Sequence, residues 1–238
     1  MTSRRTAALL CTVLVALASA VAPAAAEWNI DLYGGAAWVE SADLKVTGTG
    51  TNGAAANLTI FDLDSNTGFT FGLRTGYWFD SLPFLGLDLD VFYMQVPVPA
   101  QTTTGTGALT GHILGKPITV GINGVASIPE ATLPMFAFAP EISLRWPLMV
   151  DASFPRGRLQ PYVNLGPAFA FSLKNDNIAI QIGGKLGGGL AFQLTPWLAL
   201  FSEYRYAFFP GFTFTDEHLK YKANVNTHTV AGGISFRF

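Results

Sequence analysis

Three histidines, His112, His218 and His228, are the only imidazoles in the chain, and none falls in H-E-x-x-H or another ligand spacing. A metal enzyme is therefore not expected. Asp62, Asp64 and Asn66 bring oxygen donors together, the ligand type of calcium, but no EF-hand spacing follows them and they read as a solvated loop. Gly48, Gly50 and Gly53 match G-x-G-x-x-G, yet Thr, Asn and Ala surround them and no helix follows to offer its N-terminus to a phosphate. They read as loop flexibility, and no cofactor is expected. The one cysteine, Cys11, lies near the start, so the rest of the chain has neither disulfides nor thiolate metal sites.

The remaining chemical groups are charges: Asp31, Arg74, Asp88, Asp90, Glu141, Arg145, Lys185, Glu203, Arg205 and Arg237, five acids and five bases. Each stands at the opposite parity to a run of large apolar residues. What they do depends on the elements that carry them.

Those elements read as strands, because apolar residues recur at every second position. Segment 28–40 sets Trp28, Ile30, Leu32 and Trp38 against Asn29, Asp31, Tyr33, Gly35 and Ala37, and 67–79 sets Phe69, Phe71 and Leu73 against Thr70, Gly72 and Arg74. The same alternation runs through 86–96, 135–148, 159–173, 181–194, 198–208 and 226–238. Eight such segments, of about ten to fourteen residues, suit a closed antiparallel up-and-down barrel of membrane-spanning length. The connections 41–66, 97–134 and 209–225 are long, 149–158 and 174–180 moderate, and 80–85 and 195–197 short, which gives one rim tight turns and the other long loops. Segment 174–180 fits that rule least. Apolar stretches at 118–122 and 125–128 leave room for another hairpin, and so for a ten-stranded alternative.

Which face points inward is decided by size and charge. A water-washed face would bear long charged side chains, whereas small residues with balanced charges suit a narrow interior where each ion needs a partner. Apart from Glu40 at the end of the first, the opposite face has no charge in the eight segments, as expected where Lys or Arg at mid-bilayer costs roughly 2 to 4 kcal/mol. Trp28, Trp38, Tyr77, Phe79, Trp146, Trp197, Tyr206 and Phe208 gather at strand ends like interfacial girdles. A soluble sandwich or ligand-carrying barrel is the competing reading of the same alternation.

Composition agrees, since 50% of the 238 residues are apolar and 13% are charged, against roughly a quarter in soluble domains. Disorder is excluded by the apolar content, and helical spans by the Gly, Thr, Asn or charge that interrupts every apolar run after residue 26. Arg4 and Arg5, an apolar stretch over 7–22, Pro23 and the triplet Ala24, Ala25 and Ala26 make 1–26 a cleaved secretory signal peptide, with Ala24 and Ala26 at the cleavage site. Residues 27–238 then form a single barrel domain with 12 basic and 16 acidic residues, a net charge of −4. Nucleic acid is not an expected partner.

The run Leu159-Gln-Pro-Tyr-Val, the Leu194-Thr-Pro-Trp-Leu turn leading into Glu203-Tyr-Arg-Tyr206, and the ending His228-Thr-Val-Ala-Gly-Gly-Ile-Ser-Phe-Arg-Phe238 resemble the small bacterial outer-membrane barrels of the OmpA and OmpX type. The resemblance implies outer-membrane localisation, contact with outer-membrane lipid and lipopolysaccharide, and recognition of Ile234, Phe236 and Phe238 by the barrel-assembly machinery. The family's peptidoglycan-binding domain is not expected, because the chain stops at Phe238.

The expectation is an integral outer-membrane β-barrel with no enzymatic role, plugged by its charges, whose loops meet an unidentified extracellular ligand. Glu203, Arg205 and Arg237, on the last two strands, are expected in one packed salt-bridge network, since eight strands leave an interior just wide enough for side chains. A narrow porin is one alternative. A lipid-modifying hydrolase built on His228 is another, although no serine accompanies that residue in its own strand's rim.

Overall fold

The computed structural model describes residues 27–49, 54–113, 116–174, 177–216 and 219–238, and no helix occurs among them. Ala24 and Ala26, Gly50 and Gly53, and His218 lie outside the described residues. Twelve antiparallel strands follow one another: β1 (Glu27–Val39), β2 (Ala42–Thr49), β3 (Ala55–Leu63), β4 (Gly68–Trp78), β5 (Leu85–Val98), β6 (Gln101–Ile113), β7 (Lys116–Ile128), β8 (Ala131–Arg145), β9 (Leu159–Lys174), β10 (Asn177–Thr195), β11 (Leu198–Asp216) and β12 (Leu219–Arg237). The pairings run β1-β4-β5-β8-β9-β10-β11-β12, and β12 pairs again with β1 from Asn29↔Arg237 to Val39↔Thr227. This circuit of eight strands contains all eight segments read from the alternation.

The four additional strands correct the expectation of eight or ten strands and of two long loops. Segment 41–66 folds as the β2–β3 hairpin and 97–134 contains the β6–β7 hairpin. These four continue the sheet sideways, with β2 pairing to the far end of β12 and β3 to β6. The expected loops 174–180 and 209–225 are likewise mostly strand, because β9–β10 pair as far as Lys174↔Asn177 and β11–β12 as far as Asp216↔Leu219. The physical reason is composition: β6 reads QTTTGTGALTGHI, whose only large apolar residues are Leu109 and Ile113, so its period carries little hydrophobic signal.

Two irregularities shape the circuit. Between β8 and β9 the pairing stops after Phe138↔Phe169 and resumes at Ile142↔Leu165, and the gap contains Pro140 and Pro167, neither of which has an N–H to donate. In β11 the register shifts between Phe209 and Phe212 opposite Val225 and Ala223, so Pro210 and Gly211 face only Asn224. Gly211 has φ 69°, a left-handed conformation that suits glycine, and its N–H donates to Asn224 Oδ1 at 2.8 Å. The bulge flips the parity of β11, so Phe209 and Phe212 both point inward although three positions separate them.

The inward face thus has two layers. Toward the tight turns it is polar and charged, with Arg145, Lys185, Asp90 and Gln160 among its fully buried side chains. Toward the hairpins it is apolar, built from Phe92, Met94, Val96, Met135, Phe209 and Phe212. The outward face is the opposite of a soluble protein's, with Phe71, Leu87, Ile142, Leu165 and Ile182 exposed.

Candidate functional site: a layered charged interior and an aromatic rim

All ten charges singled out in the sequence are buried. Register explains how they meet, because Asp31 stands opposite Arg74, Arg74 opposite Asp90, and Asp88 opposite Glu141 on neighbouring strands. Arg74 reaches Asp31 at 2.8 Å and Glu203 at 2.7 Å, with its guanidinium 5.3 Å from the ring centres of Tyr162 and Phe201. Arg205 holds the other Glu203 oxygen at 2.5 Å, approaches Asp90 at 3.3 Å and lies 3.8 Å over the Tyr33 ring. Lys185 bonds Asp90 and, at 2.8 Å, Glu141. The Tyr162 hydroxyl donates to Glu203 at 2.6 Å and the Tyr33 hydroxyl to Asp90 at 2.7 Å. Asp88 accepts from the Ser143 hydroxyl.

This middle layer excludes Arg237, which corrects the expectation that Glu203, Arg205 and Arg237 form one group. Arg237 lies at the end of β12 and binds Glu27 at 2.6 Å. Glu27 also takes Arg145 at 2.8 Å and Arg156, from the turn between β8 and β9, at 2.8 Å. Three guanidiniums on one carboxylate close the turn end of the interior, and Arg145 stacks 4.2 Å over Trp78 while donating to the Pro83 carbonyl. Sequence reasoning missed Glu27, yet its signal was present: it continues the parity of Asn29 and Asp31 by one more step.

Glycines make room for this packing. A Cβ on Gly187 would sit 2.2 Å from Asn164 Oδ1 and 3.0 Å from Glu203 Oε1, so any larger residue there displaces the Asn164 side chain and crowds the acid shared by both arginines. Between the layers, a chamber of about 20 Å³ is lined by Asn29, Asp31, Arg74, Asp88 and Arg237, room for about one water. The arrangement cross-links strands distant in sequence, with Arg74 joining β4 to β1 and β11 and Lys185 joining β10 to β5 and β8.

On the outward face, aromatic side chains form two rows. At the turn end Trp28 packs on Tyr77 with ring centres 5.1 Å apart, Tyr77 on Phe79 at 5.3 Å, and Trp197 on Phe236 at 6.5 Å, while Trp146 is exposed. At the hairpin end Trp38 stacks on His228 at 5.5 Å, and Tyr206 lies 5.1 Å from His228 and 6.5 Å from Phe208. His228 meets the Tyr204 hydroxyl through Nδ1 at 2.5 Å and Glu40 through Nε2 at 2.8 Å. Asn226 donates to the second Glu40 oxygen at 2.8 Å, and these hydrogen bonds hold the Glu40 carboxyl below its usual range.

Ile234 and Phe238 point outward, and the backbone of Phe238 exchanges hydrogen bonds with Trp28. Asp64 accepts from Ser41 at 2.8 Å, Asp62 has φ 52°, and no metal-ligating group of three forms among the described residues. Gly48 lies within β2, and the side chain of His112 is outside the described residues.

No family model and no curated protein matches the chain. Solved structures do. Neisserial surface protein A has 13% identity over 90% of this chain and 98% of its own, with a TM-score of 0.45. The outer membrane protein OprG from Pseudomonas aeruginosa has 13% identity over 89% of this chain and 95% of its own, with a TM-score of 0.46. The N-terminal β-barrel domain of Pseudomonas aeruginosa OprF has 11% identity over 89% and 97%, with a TM-score of 0.38.

Proposed function

We propose that the eight-strand circuit is a closed barrel spanning the outer membrane of a bacterial envelope, with a plugged interior, no enzymatic role, and its hairpins displayed outside as an interaction surface. The observation that carries this reading is the outward face between the two aromatic rows. Trp28 and Trp38 share that face of β1 ten residues apart, which at about 3.3 Å per residue and a tilt of about 40° projects to about 25 Å. That is the height of the apolar band of an outer-membrane barrel. No Asp, Glu, Lys or Arg occupies the outward parity of the circuit between the rows.

The same reading includes cleavage after Ala26, recognition of Ile234, Phe236 and Phe238 by the barrel-assembly machinery, and contact with outer-membrane lipid and lipopolysaccharide. It is tested by running the envelope-fraction protein on a detergent gel with and without boiling. A migration shift is expected of a detergent-resistant barrel, whereas no shift together with recovery in the soluble periplasm would sink the proposal.

The His228 contacts favour a second reading, a lipid-directed hydrolase in which the imidazole takes a proton from Tyr204 and is oriented by Glu40. It predicts acyl chains released from lipopolysaccharide by the wild type and not by His228→Ala. Absence of release from the wild type removes it.

A further inference from the structure

Three of the six lysines, Lys45, Lys220 and Lys222, come together on one face of the paired strands β2 and β12. Lys222 stands directly opposite Lys45, and Lys220 follows two positions along β12, on the same side of the pleat. All three are exposed, and none of them enters the ion pairs formed among the described residues. Like charges set opposite each other on a sheet are destabilising, so the arrangement costs folding free energy that no direct ion pair among the described residues offsets. The register rows show how complete this is. The row through Lys222 reads Thr213, Lys222, Lys45 and Thr59, and the row through Lys220 continues to Thr47 and Asn57. Hydroxyls and amides flank the ammonium groups, with no acid in either row.

Beside the lysines an open cleft of about 480 Å³ is lined by Lys45, Lys222, Asn224 and Asn226 together with Glu40 and Asp43. Both acids are engaged elsewhere, Glu40 by Asn226 and His228 and Asp43 by the Asp62 N–H. The Asn224 carbonyl oxygen is taken by the Gly211 N–H, which leaves its amide N–H groups as donors. Donors to an anion that also carries hydroxyls are therefore supplied by the lysine rows and the Asn224 amide.

Position selects the source of that anion. Val225, Thr227 and Thr229 on β12 are buried inward, so Lys220 and Lys222 continue the outward line of His228 and Val230. Lys222 is six residues beyond His228, about 20 Å along the strand and about 15 Å above the aromatic row after tilt. The headgroup layer adds only about 5 to 8 Å to each side of the hydrocarbon. The lysines thus stand above phospholipid headgroups, at the depth of an outer-leaflet glycolipid's sugars.

We infer that Lys45, Lys220 and Lys222 bind the phosphorylated saccharide of an outer-leaflet glycolipid, with the flanking threonines and asparagines meeting its hydroxyls. The inference rests on the membrane-spanning reading. The test uses the full chain folded in detergent micelles and titrated with purified lipopolysaccharide, with the same material dephosphorylated, and with phosphatidylglycerol vesicles. The wild type is expected to bind the phosphorylated form at least about tenfold more tightly than either other probe, and more weakly as salt rises. The triple variant Lys45→Gln/Lys220→Gln/Lys222→Gln is expected to lose that preference while keeping its heat-dependent gel shift. Equal binding of phosphorylated and dephosphorylated material, equal binding of phosphatidylglycerol, or an unaffected triple variant each overturns the inference. If the triple variant loses its gel shift, the single variants decide: weaker binding by Lys222→Gln restored in Lys222→Arg supports the site, and unchanged binding overturns it. A wild type without a gel shift is failure of the barrel itself, read separately from binding.

Discussion

Glu27 is the residue on which the turn end of the interior depends. It is buried and faces Arg145 and Arg237, both also buried, so Glu27→Ala leaves two guanidiniums uncompensated in a low-dielectric space. We expect that variant to lose about 3 to 5 kcal/mol in denaturant unfolding from detergent micelles. Arg156 binds the same carboxylate with its side chain 35% exposed, so Arg156→Ala is expected to cost no more than about 1 kcal/mol after solvent screening. Equal costs for the two would show that burial does not set the worth of these pairs. Glu40, exposed at the other rim, offers a pH test. Its carboxyl is held low by Asn226 and His228, so its bonds are fully present above the ordinary carboxylate range and are lost as pH falls through the lowered value. The Asn226 side-chain amide resonances should therefore show their Glu40-linked step only as pH falls below the ordinary carboxylate range, whereas Glu40→Gln should abolish that step.

At the scale of elements, the buried charges and the outward apolar residues were legible in the sequence because both follow the two-residue period of a strand with two unlike faces. Asp88 and Asp90 alternating with Leu87 and Leu89 mark two unlike faces of β5. The apolar plug was not legible, because Phe92, Met94 and Val96 share the parity of Asp88 and Asp90, and an inward Phe looks like an outward one without its neighbours. Phe212 was hidden more deeply, since the bulge at Pro210 and Gly211 reverses the parity on which the reading relies. The hairpins escaped because their stability comes from pairing with strands already formed. β6–β7 joins the rest through six register pairs with β3, while Val98 and Ala131 at its base are already paired with each other. Replacing 99–130 by an Asn-Gly turn, which suits a two-residue hairpin, should therefore leave the heat-dependent gel shift intact. Loss of the shift would make β6–β7 part of the folding unit.

For the whole molecule, the question is whether the closed circuit conducts. Two barriers lie in series: three guanidiniums around Glu27 at the turn end, and the apolar cluster of Phe92, Met94, Met135, Phe209 and Phe212 at the hairpin end, with the Arg74, Lys185 and Arg205 ion pairs between them. An eight-stranded barrel has an interior that side chains can fill, which is the reading proposed for this circuit. Charge at the turn end attracts ions, but an ion that entered would have to strip its water to pass a mainly apolar layer, in which the Thr70 hydroxyl is already engaged with the Tyr93 carbonyl. The wild type in a planar bilayer is therefore expected to show no discrete conductance steps. Glu27→Ala/Arg145→Ala, which opens the turn end alone, should stay silent as well, because the second barrier is untouched. Steps in that double variant would place the whole seal at the arginines, and steps in the wild type would replace the plugged barrel with a narrow porin whose path must run past Arg205.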